Sequence, residues 1–152
     1  MAALKDRLET DLVTAMKARD ELTTATLRMA LAAIRTEEVA GKVARELSDA
    51  EVVTVVGREA KKRREAAEAF DGAGRAELAD RERAEGSVLD GYLPTQLTDE
   101  ELVGLVREAV GESGATGPRQ LGQVMKVLQP KVTGRAEGGR VAAEVKRQLT
   151  GG

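Results

Sequence analysis

The sequence predicts an all-α protein, and three observations carry that expectation. Apolar residues recur at three- and four-residue intervals along the 152-residue chain, and no stretch alternates with period two for long enough to propose a strand. Two capping boxes, Ser48-Asp49-Ala50-Glu51 and Thr98-Asp99-Glu100-Glu101, announce helix starts. Aromatics make up 1% of the chain, with one Phe (Phe70), one Tyr (Tyr92) and no Trp, so Leu, Val, Ala, Ile and Met must fill the core. Strand-rich cores lean on aromatic and β-branched residues, and this composition favours helices.

The elements follow in order. Leu4, Leu8, Leu12 and Met16 mark a first amphipathic helix, interrupted by Asp20 and Glu21. Leu27, Ala30, Leu31 and Ile34 form a second stripe that fades toward Gly41. The Ser48 box starts a long third helix whose inward face is Val52, Val56, Ala60, the stem of Arg63, Ala67 and Phe70, and Asp71-Gly72-Ala73-Gly74 ends it. Leu78, Glu85, Val88 and Leu89 carry a fourth helix up to Gly91-Tyr92-Leu93-Pro94. Pro94 disfavours helix at Leu93, so the chain turns there. The Thr98 box opens a fifth helix with Leu102, Leu105, Val106, Ala109 and Val110 inward, punctuated by Gly111, Gly114 and Gly117-Pro118. A sixth spans about 119 to 128 around Leu121, Val124, Met125 and Leu128, with its apolar run ending at Pro130. A seventh begins near Gly139 and is carried by Val141, Val145 and Leu149.

These elements divide into an N-terminal four-helix domain over 1–92, a linker over 93–97 and a small three-helix C-terminal domain over 98–152. The second part is near the lower size limit for an independent core.

Composition excludes several functions. Without Cys there is no disulfide, thiolate nucleophile or Cys-ligated metal, and without His the commonest general base and metal ligand are missing. Polar residues break every apolar run well short of a membrane span, and the N-terminus lacks a signal-peptide core, so a cytoplasmic protein is expected. No cofactor, metal or membrane partner is expected. The formal net charge of −2 conceals an asymmetry: residues 117–152 hold seven basic side chains against two acidic, whereas 98–116 hold one against five.

Two basic groups are candidate anion sites. The stretch 122–139 places Lys126, Lys131, Arg135 and Arg140 around a glycine-bearing loop. Gly134 and Gly138-Gly139 let backbone approach a phosphate, and the seventh helix points its first N–H groups the same way. The other reading is a basic loop that keeps a small domain soluble, with Gly134 present only to turn the chain. The second group is Arg58, Lys61, Lys62 and Arg64, a secondary basic face. Interleaved Glu59, Glu65 and Glu68 favour a solvated helix surface there, because mixed charge blunts the field that attracts nucleic acid. The carboxylates Asp99 to Glu101 suit a helix first turn, and Glu82 and Glu85 lack the second ligand set that catalysis would need. Tyr92, Met29 and Met125 are expected in packing. The glycine-rich segment has neither a preceding strand nor a GK[ST] ending, so it is no nucleotide-binding fingerprint.

The chain as a whole resembles the YqeY family. Leu-x-x-Asp-Leu-x-x-Ala-Met-Lys-Ala-Arg-Asp (8–20), Thr-Leu-Arg-Met-Ala-Leu-Ala-Ala-Ile (26–34), Leu-Ser-Asp-Ala-Glu-Val-Val (47–53), Arg-Glu-Ala-Lys-Lys-Arg (58–63) and Gly-Arg-Ala-Glu-Leu-Ala (74–79) occur in family order. Tyr-Leu-Pro-Thr-Gln-Leu-Thr-Asp-Glu-Glu-Leu (92–102) is similar to the family's interdomain passage. Gly-Gln-Val-Met-Lys (122–126) and Gly-Arg-Ala (134–136) resemble the motif shared with the tail domain of GatB, a subunit of the glutamine-dependent tRNA amidotransferase. Thr133 departs from that motif, since a basic residue is common there.

The resemblance implies a C-terminal domain of the GatB-tail type, which in GatB contacts tRNA away from the chemistry. It also implies a family label of carbon–nitrogen ligase activity with glutamine as amido donor, expected to be inherited from GatB. The expected function is a non-catalytic, tRNA-interacting accessory or adaptor module. The alternative is a protein-interaction module docking on an amidotransferase or an aminoacyl-tRNA synthetase without touching RNA.

Overall fold

The computed structural model describes residues 3–151, all of whose regular structure is helical. In order these are α1 (Ala3–Lys17), α2 (Glu21–Glu38), α3 (Asp49–Gly72), α4 (Ala76–Asp90), α5 (Asp99–Ser113), a 3₁₀ turn (Pro118–Gln120), α6 (Leu121–Val132) and α7 (Gly138–Leu149). The chain falls into two compact units, Met1–Leu93 and Pro94–Gly152.

In the first unit the interruption at Asp20 is a helix start. Asp20 caps α2, its carboxylate accepting from the Thr23 N–H at 3.1 Å and from the Thr23 hydroxyl at 2.7 Å. These bonds hold its pKa below the usual carboxylate value. Arg19 makes the turn before it with φ +57°, a left-handed conformation uncommon for a residue with a side chain. Ser48 and Glu51 form a complete capping box on α3. The core gathers Leu8, Leu27, Leu31, Ile34, Val52, Val56 and Leu89 from all four helices. Full burial of each such side chain stabilises by roughly 1.5–3 kcal/mol before entropy is counted. Leu47 seats the long α2–α3 connection on that core.

Three packing expectations need correction here. Arg63 is buried whole, not by its stem alone, and its guanidinium lies among Glu59, Glu82 and Glu85. Met29 lies outside the core, 48% exposed, on the far side of α2 from Leu27 and Ile34. Phe70 is only half-buried, in the last turn of α3 two residues before its end.

The second unit packs α5, α6 and α7 around Val106, Val124, Leu128, Val141 and Val145. The Thr98–Glu101 box caps α5 as a full reciprocal pair. Helix α6 runs through Pro130 to Val132 instead of stopping at 128. Pro130 lies in the last turn, where its missing N–H forfeits one bond, and continuing the helix seats Val132 in the core. Helix α7 starts at Gly138.

Candidate nucleic-acid interface in the second unit

The segment 94–97 belongs to this unit and lies along the α6–α7 loop. The Leu97 N–H donates to the Arg135 carbonyl at 2.8 Å, and the Gln96 amide donates to the Gly134 carbonyl at 2.7 Å. Leu97 is buried in the core. Gly134 has φ +75°, which its missing Cβ permits, and this turns the loop so that both carbonyls face the segment.

Two candidate cations complete the clasp. Arg135 donates from Nε to the Thr95 carbonyl at 3.1 Å. Arg140, in the first turn of α7, donates from one Nη2 to the Leu97 carbonyl at 3.0 Å and to Asp99 Oδ1 at 2.7 Å. Lys131 turns to the end of α5, its Nζ 3.4 Å from Glu112 Oε1. Lys126 is exposed and has no polar partner among the described residues. Five residues separate it from Lys131, which sets the two about 140° apart around α6. The fold thus gathers Gly134, Arg135 and Arg140 around residues 95–99 and leaves Lys126 and Lys131 on different faces.

Gly138 opens α7 with no side-chain cap hydrogen bond on its first N–H groups. Glu137 immediately precedes it, and its carboxylate would lie 3.7 Å from a Cβ on Gly139. An anion arriving at this helix end would therefore meet favourable N–H dipoles and one unfavourable carboxylate. Glu112 and the 95–97 carbonyls were not legible as partners, because they lie far in sequence from the cations they affect or carry no charge of their own.

The secondary basic face is mixed in charge. Arg58 stands 3.9 Å from Glu37, Lys61 3.8 Å from Glu65, Lys62 2.8 Å from Glu59 and Arg64 3.9 Å from Asp90. Exposed pairs of this kind contribute at most about 1 kcal/mol each, but they leave little net positive field.

Among the described residues no group of three or more His, Cys, Asp or Glu side chains is arranged to hold a metal ion. No helix among the described residues is long and apolar enough to cross a membrane. In comparisons with known proteins, the family model described as Yqey-like protein matches residues 5–149, nearly the whole chain. No curated protein matches it.

Proposed function

Since the chain belongs to the YqeY family, we propose that it is a non-catalytic accessory module that touches structured RNA, with tRNA the preferred ligand. One observation carries this reading: the seven-to-two excess of basic over acidic side chains across residues 117–152. An excess of cations on one small unit supplies backbone affinity without base readout. The GatB-tail likeness of the same segment supports tRNA as the RNA. With one Phe and one Tyr, base stacking contributes little, so binding is weak and poorly sequence-selective. The carbon–nitrogen ligase label is inherited from GatB, because a chain with neither His nor Cys lacks the usual means of activating glutamine's amide.

The test is tRNA affinity at several salt concentrations for wild type and the Lys126→Ala/Lys131→Ala pair. These lysines are chosen because neither holds segment 94–97. Loss of two phosphate contacts lowers the salt slope of log K by about two. Equal affinity and slope would reduce the basic excess to a solubility feature.

A second reading, docking on an amidotransferase or synthetase, is favoured by a specific observation. Lys131, Arg135 and Arg140 all have partners within their own unit, so binding RNA through them requires exchange of existing bonds.

A further inference from the structure

Cations of the first unit are sorted in an uneven way. From Lys5 to Arg83 each has a carboxylate oxygen within 4.0 Å, except Lys17, Arg19, Arg28, Arg35 and Lys42. Those five follow one another in sequence, at the end of α1, along α2 and just beyond it. Glu37 and Glu38, which share α2 with them, are turned toward Arg58 and Lys5 instead.

Helical geometry places two of the exceptions, Arg28 and Arg35, on one stripe. At about 100° per residue, Arg28, Met29, Ala32 and Arg35 fall within about 120° of one another on the exposed side of α2, away from Ala30 and Ile34. Val39 continues that stripe at 64% exposure, with Met29 at 48%. No carboxylate occurs on it between residues 25 and 39. At its head an open cavity of about 420 Å³ is lined by Met16, Arg19, Glu21, Thr24, Ala25 and Arg28. Arg28 Nη2 lies 3.8 Å from the sulfur of Met16, itself 47% exposed. The turn that presents Arg19 is held in the left-handed region without a glycine.

We propose that this outer face of α2 is a docking surface for an amphipathic helix with acidic flanks on a protein partner. Charge complementarity selects the sign, since Arg19, Arg28 and Arg35 have no carboxylate within 4.0 Å among the described residues. Spacing selects the shape: Arg28 and Arg35 are two turns apart, about 10.5 Å, which matches carboxylates at i and i+7 of a helix laid along α2. Met16 and Val39 supply the apolar seam, beside the exposed half of Met29 whose sulfur already meets Arg63 Nη2 at 3.4 Å, and methionine adapts to a partner's side chains. An RNA backbone would make no use of that seam, and the stripe has no aromatic for a base to stack on. A second copy of the same face would set arginine against arginine. The inference stands independently of RNA binding by the second unit.

The test uses the full chain and a fluorescein-labelled synthetic helix of about three heptads, with Leu at a and d and Glu at e and g. A Lys-for-Glu version and unfractionated tRNA serve as the other probes. The acidic helix is expected to bind saturably and the basic one at least tenfold more weakly. Arg28→Gln/Arg35→Gln should weaken the acidic helix at least tenfold and flatten its salt dependence. Met16→Ser/Val39→Ser should weaken it while leaving that dependence intact. All variants lie on exposed positions, and unchanged circular dichroism confirms folding. Absence of saturable binding by the acidic helix, equal binding of the basic one, or no effect of the arginine pair overturns the proposal. Binding of tRNA through Arg28 and Arg35 with none of the acidic helix would make the face an RNA surface instead.

Discussion

Arg63 of α3 holds its Nε 3.2 Å from Oε2 of Glu85 on α4, and both side chains are buried. The same guanidinium places Nη1 3.5 Å from Glu59 Oε1 and Nη2 3.4 Å from the sulfur of Met29. The Nε–H is close enough to Glu85 for Coulomb attraction yet misaligned for a hydrogen bond, which leaves it the one buried unsatisfied side-chain polar atom among the described residues. One cation therefore neutralises two buried carboxylates, with Lys62 and Arg81 meeting those carboxylates from outside.

Replacing Arg63 by Met should leave Glu59 and Glu85 paired only from outside, by Lys62 and Arg81, and destabilise the first unit, by at most the roughly 3–5 kcal/mol of an unpaired buried charge. Adding Glu59→Leu and Glu85→Leu should recover most of that loss, because an apolar set of similar volume avoids the desolvation cost of the charges. Urea denaturation of the single and triple variants measures both effects. A single variant as stable as wild type would mean that water reaches the cluster.

Tyr92 closes the first unit onto α1. Its hydroxyl donates to Asp11 Oδ2 at 2.5 Å, and the Arg7 guanidinium sits 4.6 Å from its ring centroid. Burial, then the Asp11 hydrogen bond and charge, raise its pKa above the ordinary phenol value, against the smaller opposing effect of Arg7. The raised folded pKa means that this contribution to stability is complete below the unfolded phenol pKa and is lost as pH rises through the folded one. Tyr92 is the sole tyrosine, so an ultraviolet titration reads it without overlap. Ionisation should fall above that of free tyrosine in the wild type and move down in Asp11→Asn. Coincidence of the wild-type curve with free tyrosine would show the bond absent in solution.

Much of the fold was legible, and the misses have physical causes. The stripe Leu78, Glu85, Val88, Leu89 already carried a glutamate on an inward face, which makes sense only with a buried cation opposite. Arg63 stood on the inward face of α3, yet which helix it would meet depends on three-dimensional pairing. Pro130 is a local stop signal that burial of Val132 overrides. Around 122–139 the clustered charge was visible, but three of its four cations spend hydrogen-bonding capacity on residues 19 to 43 positions away. No local pattern encodes that.

Acid should weaken the α3 cap. Arg45 pairs with Glu51 at 2.6 Å, and this bond, followed by the Ser48 N–H, lowers the Glu51 pKa to about 2. A depressed carboxylate stabilises fully above its unfolded value near 4.5 and loses that contribution as pH falls through 2. Glu51→Gln should lower stability at neutral pH and flatten its decline between those limits. Parallel acid curves for the two proteins would show that Glu51 is unperturbed.

Arg140 ties the entry segment to α7, and its removal should register as stability before it registers as binding. Arg140→Ala deletes bonds to the Leu97 carbonyl and to Asp99, the second of them exposed, so a loss of about 1 kcal/mol is expected. Gly134→Ala should act on the same clasp by a different route. A side chain at φ +75° costs roughly 1–2 kcal/mol of backbone strain, and relaxation would move the carbonyl that Gln96 holds at 2.7 Å. Lys126→Ala, with no partner to lose, should leave stability within about 0.5 kcal/mol of wild type. Thermal unfolding ranks the three, and hydrogen exchange at the Leu97 amide reports the clasp directly. If Arg140→Ala left both unchanged, the guanidinium would be available to a ligand and the anion-binding reading of the loop would gain its strongest residue.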